Sequence, residues 1–393
     1  MVSQLLQAGE MRLRDKINHL DSPCLELSAQ IAFPWESSQT SPPNPSSGYT
    51  HVPNSEVQRS EEPHRLPEPP MCIYDHTLKM LVRLSRRLVP FVHKYRNGLL
   101  IASCGGVFSV SIFYHVFPEQ TYKKIYQAWS QGQPAVLSEN LQNLFQEVLK
   151  ETKVRSPQNY RAFAAFGFHP ISAGIPWMPG RAHVGIPANF NSTTEGKSGI
   201  KNRVVIINGK EVDWEGTQGA LLKEALTFSP EAKKFALARE LSCLEISGPV
   251  LYAAVAPACL AATWFSGVVI KQMFGLYARP VAVRGLVNLA VALLGSSCYF
   301  LASDAVNQWL EYHTDRKVAS LSEEYARGGV EFYDKILARN RTLRVLMGRK
   351  GEEMYAPSGN LFPKHWIRLK YAPYTARKER LLRILNRYRV HQQ

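Results

Sequence analysis

Three uncharged runs constrain this chain more than any other feature. They are Gly98–Phe117, Pro249–Ile270 and Gly285–Ser303. Each approaches the ~20 apolar residues that a helix needs to cross a bilayer. The second and third are joined by KQMFGLYARPVAVR, which carries Lys271, Arg279 and Arg284 and no acid. A buried core hairpin would need neither that length nor a purely basic link, so membrane insertion is expected. The excess of Lys and Arg places this link and the basic stretch before Gly98 on one side of the membrane. Three spans then put 119–247 and 305–393 together on the other side, where they can form one domain.

The chain has 393 residues and a formal net charge of +15. Such a balance suits nucleic acid, anionic lipid or import into a compartment that selects basic sequences. No zinc-finger spacing or aromatic-basic repeat is present, so no nucleic-acid partner is expected. The lipid bilayer is the expected partner. The six cysteines are scattered and form no C-x-x-C, which argues against a disulfide framework.

Residues 1–78 read as a disordered Pro/Ser-rich N-terminal extension, since 1–70 hold ten of the 25 prolines. From Lys79 to Phe117 there is no acidic residue. Residues 79–97 form a basic amphipathic flank and 98–117 the first transmembrane helix. Together they suit a mitochondrial targeting element or uncleaved anchor.

The first soluble part, 119–247, opens on a helix capped by Ser138, with Leu141, Leu144, Val148 and Leu149 on one face. Residues 163–190 then predict two strands around the turn MPGR. Asn208-Gly209 predicts a second hairpin with a type I′ turn. Ser229-Pro230-Glu231 is a helix start, with a capping serine, an early proline and an acid at the positive end of the dipole. Spans at 249–270 and 285–303 follow. Residues 305–393 give the second soluble part, ending in a basic helix with Arg377, Lys378, Arg380, Arg383, Arg387 and Arg389. That helix reads equally as a solvated face or as a surface for anionic lipid.

SAGIPWMPGRAHVGIPANF, SPEAKKFALARE, ASLSEEYARGGVEFYDKIL and YAPSGNLFPKHWIRLKYAPYTAR together resemble the transmembrane protein 177 family, from about Met80 to the end. The resemblance implies a mitochondrial inner-membrane protein without catalytic activity. It also implies a role in biogenesis of cytochrome c oxidase subunit 2, alongside that subunit's assembly chaperone and copper-delivery assembly factors. No C-x-x-x-C or Met-rich cluster supports copper carriage by this chain itself.

A more distant resemblance is to membrane zinc peptidases of the HtpX and Oma type, carried by the order of five parts. A hairpin, Ser172 to Gly180, comes first. Arg239-Glu240-Leu241-Ser242-Cys243 stands where H-E-x-x-H would stand. Two apolar runs follow, then Glu311-Tyr312-His313-Thr314-Asp315 in the E-x-x-x-D place, then Tyr371-Ala372-Pro373 before the last helix. The implied fold class is α+β and mostly helical. It is a degenerate gluzincin-like metallopeptidase domain interrupted by a transmembrane helical hairpin, with one N-terminal transmembrane helix.

The chemistry of that constellation departs from a peptidase. A guanidinium cannot ligate zinc, so Arg239 removes the first ligand. Cys243 and Glu311 fall short of the three protein ligands a catalytic zinc needs, with Glu240 in the general-base place. No metal and no cofactor are expected, and the degenerate site comprises Arg239, Glu240, Cys243, Glu311 and Asp315. Buried carboxylates without metal are costly. Arg239 is therefore expected to act as counter-ion, pairing with Glu311 and with Asp315; the bland alternative is a solvated pair with Lys233 or Glu245. His169, His183 and His365 read as isolated structural histidines. Ile175, Trp177, Met178 and Gly180 mark a candidate partner-binding hairpin, since in the peptidases this edge takes extended substrate by strand addition. A non-catalytic assembly factor is the reading adopted, and an active zinc peptidase with atypical ligands is the alternative.

Overall fold

The computed structural model describes residues 71–130, 132–178, 182–191, 206–207, 210–363 and 368–391. The chain is mostly helical, with a small sheet and three helices long and apolar enough to cross a membrane.

Helix α1 (Met71–Val116) contains Pro90 and departs from helical geometry at Tyr95, where φ is −105° and ψ is 16°. The membrane-length part is Lys94–Val116. The expected boundary at 78 therefore shifts. Residues 71–78 belong to α1, and the basic flank and first span are one helix with a break. Residues 1–70 lie outside the described residues. The part of α1 up to Ala102 falls in a different compact unit from Ser103–Gln393.

Beyond α1 come α2 (Tyr122–Tyr126), a short pairing of β1 (Trp129–Ser130) with β2 (Gln133–Pro134), and α3 (Glu139–Glu151). Ser138 caps α3 by accepting from the Leu141 N–H, and Leu141, Phe145, Val148 and Leu149 are its buried face. The three-stranded sheet consists of β3 (Tyr160–Ala165), β4 (Ile171–Gly174) and β5 (Ala182–Pro187) in the order β3-β5-β4. The expected hairpin is the antiparallel β4–β5 pair, with Ser172 opposite Val184. β3 joins β5 in parallel. β6 (Ile206–Ile207) and β7 (Lys210–Glu211) pair as the second hairpin, and its turn at 208–209 lies outside the described residues.

α4 (Thr217–Leu226) leads to α5 (Pro230–Glu245), capped by Ser229 through the Ala232 N–H. Most of α5 is buried, including Lys233, Glu240 and Ser242. α6 (Gly248–Met273) and α7 (Val281–Ala319) are the other two membrane-length helices. They approach closely where a Cβ on Gly295 would stand 2.1 Å from Thr263 Oγ1. The far end of α7 continues past its apolar part into the soluble region. α8 (Glu323–Leu346), α9 (Arg349–Met354) and α10 (Tyr374–His391) complete the chain.

One apolar core draws on both soluble segments. It joins Phe145 and Leu149 of α3, Val184 and Ile186 of β5, Phe235, Leu237 and Leu241 of α5, Phe332 and Ile336 of α8, and Leu381 and Leu385 of α10. α8 lies so close to the start of α5 that a Cβ on Gly328 would fall 2.3 Å from the Glu231 carbonyl oxygen.

Candidate functional site: a buried arginine–carboxylate relay

α5 brings Arg239 and Glu240 into the middle of this core. Neighbouring residues on a helix usually diverge. Here the Arg239 side chain turns back, and its Nη2 lies 2.6 Å from Glu240 Oε1. Glu240 Oε2 accepts a 2.7 Å hydrogen bond from the Ser172 hydroxyl on β4. The other arm of Arg239 donates to the Tyr333 hydroxyl at 3.4 Å, and Tyr333 donates to Asp315 Oδ1 at 2.8 Å.

Asp315 belongs to a second ion pair. Arg377, at the start of α10, reaches both its oxygens, Nε to Oδ2 at 2.7 Å and Nη2 to Oδ1 at 2.9 Å. Arg377 Nη1 also lies 3.2 Å from Glu311 Oε1, and Glu311 Oε2 accepts from the Ala372 N–H at 2.8 Å. A continuous relay thus runs Ser172–Glu240–Arg239–Tyr333–Asp315–Arg377–Glu311–Ala372. It ties β4, α5, α8, α7 and α10 together. Aromatic faces cover the guanidiniums: Arg377 lies 4.8 Å from the Tyr333 ring centre and Arg239 5.9 Å from that of Phe332.

The five residues of the expected degenerate site therefore lie along one buried region, but their pairing differs from expectation. Arg239 pairs directly with Glu240 and meets Asp315 only through Tyr333. The direct counter-ion of Glu311 and Asp315 is Arg377. The reason is geometric: one guanidinium has a limited reach, and a second, arriving on α10, presents a bidentate fork to Asp315. Arg377 is 2% exposed. It is accordingly not part of a solvated basic face, although Arg387 and Arg389 of the same helix are exposed.

Burial, with a smaller contribution from Glu240, pushes the Cys243 thiol up to about 12. It is a protonated thiol at neutral pH, and thiolate is the form that ligates metal or attacks as a nucleophile. The carboxylates beside it are committed to arginines. Among the described residues, no three His, Cys, Asp or Glu side chains group as a metal set. The donors present do not fit a catalytic zinc.

A third buried cation sits nearby. Arg339 of α8 contacts His169 Nε2 through Nη1 at 2.6 Å and donates twice to Asn340 Oδ1. Burial and then Arg339, Arg239 and Arg377 hold His169 well below the usual imidazole range, so it is neutral. His183 on β5 is 1% exposed, with neither ring nitrogen hydrogen-bonded. Burial holds the His183 ring neutral as well, with its pKa lowered to about 4. His365 lies outside the described residues.

The candidate partner-binding hairpin divides. Ile175 is 5% exposed and packs with Ile112 of α1 and Ala253 of α6, with Met178 against the same cluster. These two are therefore not free for a partner: their apolar side chains are taken up by the membrane helices. Trp177 is 60% exposed. Gly180 lies outside the described residues.

The fold and this relay define a membrane protein whose soluble region, assembled from two segments, is held around a buried ionic network beside three membrane-length helices. The chain belongs to the transmembrane protein 177 family. The family model described as transmembrane protein 177 matches residues 180–365. Transmembrane protein 177 of Danio rerio is 57% identical over 300 residues, covering 76% of this chain and 97% of the relative. That of Xenopus laevis is 54% identical over 75% of this chain and 95% of the relative. That of Homo sapiens is 46% identical over 76% and 95%. No solved structure matches the chain.

Proposed function

We propose that this chain is a non-catalytic assembly factor of the mitochondrial inner membrane. In this reading it supports the biogenesis and stability of cytochrome c oxidase subunit 2, together with that subunit's chaperone and copper-delivery factors. The domain is a degenerate gluzincin-like metallopeptidase domain interrupted by the α6–α7 hairpin. Its soluble part faces the intermembrane space, and the basic loop between α6 and α7 faces the matrix. The observation that carries the non-catalytic reading is the state of Glu240. Its oxygens are taken by Arg239 and by the Ser172 hydroxyl. A general base needs a free carboxylate within reach of a water or substrate proton. What remains useful in this reading is the Ile171–Ser172 end of the β4 edge, as a place for strand addition by an extended client segment; at the other end the Gly174 N–H already donates to His115 Nδ1 at 3.2 Å.

The test has three arms. Purified full-length protein is analysed for zinc, and Glu240→Gln is assayed for loss of any proteolysis the wild type shows. A photo-crosslinker at Ile171 on β4 is used to capture subunit 2 in mitochondria. Protease protection of each terminus in mitoplasts reads the orientation. Stoichiometric zinc with cleavage lost in Glu240→Gln overturns the reading in favour of a peptidase. Absence of any subunit 2 adduct overturns the client assignment.

A further inference from the structure

We propose that the described part of the β4–β5 hairpin tip, Ile175–Met178, is a membrane-surface anchor, with Trp177 seated in the headgroup layer of the bilayer that the helices cross. The depth of the tip follows from what it touches. Ile175 and Met178 pack in one apolar cluster with Phe108, Ile112 and Val116 of α1 and Val250 and Ala253 of α6. Ile112 and Val116 are in the last turns of the span that ends at Val116, and Val250 and Ala253 are in the first turns of the span that begins at Gly248. At about 1.5 Å per residue, Ile112 lies roughly 6 Å inside the end of its helix. The hairpin tip therefore reaches the level at which these spans enter the bilayer.

The local turn decides which side chain faces outward. The Met178 N–H donates to the Ile175 carbonyl at 3.0 Å, and Asn159 Nδ2 holds the Pro176 carbonyl at 2.7 Å. This tight turn directs Ile175 and Met178 onto the helices and leaves Trp177 outside, 60% exposed. An indole has a large apolar body and one N–H, which suits the membrane–water boundary better than either phase alone. The same end of α1 carries further aromatics of that kind. Tyr114 is 40% and Phe117 39% exposed, and Tyr122 stacks on Tyr114 at 6.2 Å. These exposed rings near the end of the first span suit the same boundary layer. The β4 strand, Ile171–Gly174, then ends at the bilayer surface. The lipid contact itself does not depend on any client.

The test uses full-length protein in nanodiscs. Intrinsic fluorescence of wild type minus that of Trp177→Phe isolates the Trp177 signal. The expected signal is blue-shifted from that of a water-exposed indole. It should be quenched by lipids brominated near the headgroup and protected from acrylamide. A Trp177 signal quenched by acrylamide and untouched by brominated lipid overturns the proposal. A variant-free arm uses wild type with a shallow diazirine lipid. Adducts are expected on the Trp177 peptide, and adducts confined to the three spans overturn it. Neither arm involves subunit 2, so failure here leaves the client reading standing, and the reverse.

Discussion

Arg377 and Asp315 meet as a bidentate pair across 62 residues of sequence, one at the start of α10 and the other on the soluble end of α7. Both are almost fully buried, at 2% and 3% exposure. The pair fastens the C-terminal helix to the one helix that runs from the bilayer into the soluble core. Glu311, one turn earlier on α7, shares the same guanidinium.

Removing that guanidinium should be among the most damaging single changes in the chain. Arg377→Met leaves Asp315 and Glu311 buried without a counter-ion, which typically costs about 3–5 kcal/mol. Arg377→Lys should rescue little, because an ammonium cannot reproduce the two-pronged contact with Asp315. The double variant Arg377→Met/Asp315→Asn should lose less than the sum of its parts. Denaturant or thermal midpoints of the detergent-solubilised protein read all three, and strict additivity would contradict the pairing.

The Arg239–Glu240 pair predicts a milder version of the same effect. Arg239→Gln strands Glu240 with only the Ser172 hydroxyl, at a cost of about 1–3 kcal/mol. Glu240→Gln keeps an acceptor for Ser172 and removes the charge, and Arg239→Gln/Glu240→Gln should recover part of the loss. The same midpoints decide it. If Arg239→Gln is neutral while Ser172→Ala is not, the guanidinium is not the counter-ion.

The legible parts of this fold are the ones written locally. Uncharged runs of bilayer length gave the three spans, and Ser138 and Ser229 announced their helices by capping chemistry. Short apolar stretches punctuated by Pro and Gly around M-P-G-R pointed to the β4–β5 hairpin. The gathering of Arg239, Glu240, Cys243, Glu311 and Asp315 in one region followed the grouping expected from the sequence. The pairing within it did not. Arg377 sits among six basic residues of one helix, and sequence gives no sign of which one is buried. Tyr333 and Ser172 enter through tertiary contacts with α5 and α7 that no local spacing encodes. Ile175 and Met178 looked free because the membrane helices that cover them are distant in sequence.

His183 makes stability sensitive to mild acid. Burial lowers its pKa from 6.5 to about 4 despite Glu119, while Lys123 and Arg161 push the same way as burial. In the unfolded chain the ring protonates near 6.5, so between pH 6.5 and about 4 the unfolded state binds more protons. Stability is then complete above about pH 6.5 and falls as pH drops through this window, by at most about 1.4 kcal/mol per pH unit from this group. His169, held low by burial and by Arg339, acts in the same direction. The difference in unfolding free energy between wild type and His183→Phe should therefore shrink or reverse on moving from pH 7 to pH 5. A pH-independent difference would show that His183 is not held neutral.

Gly328 marks the close approach that lets α8 support the relay. A Cβ there would lie 2.3 Å from the Glu231 carbonyl oxygen and 3.0 Å from the Ala232 nitrogen, both backbone atoms at the start of α5. Backbone cannot swing aside as a side chain can, so Gly328→Ala must push the two helices apart. Overpacking of this kind costs about 1–3 kcal/mol. The displacement should also stretch the Arg239–Tyr333 contact, since Tyr333 lies on α8 five residues further on. Gly328→Ala should lower the unfolding midpoint and reduce the penalty of a following Tyr333→Phe change. Gly106→Ala, where nothing lies within 4 Å, serves as the neutral comparison. Equal midpoints for the two alanine variants would mean that α5 and α8 do not pack this closely.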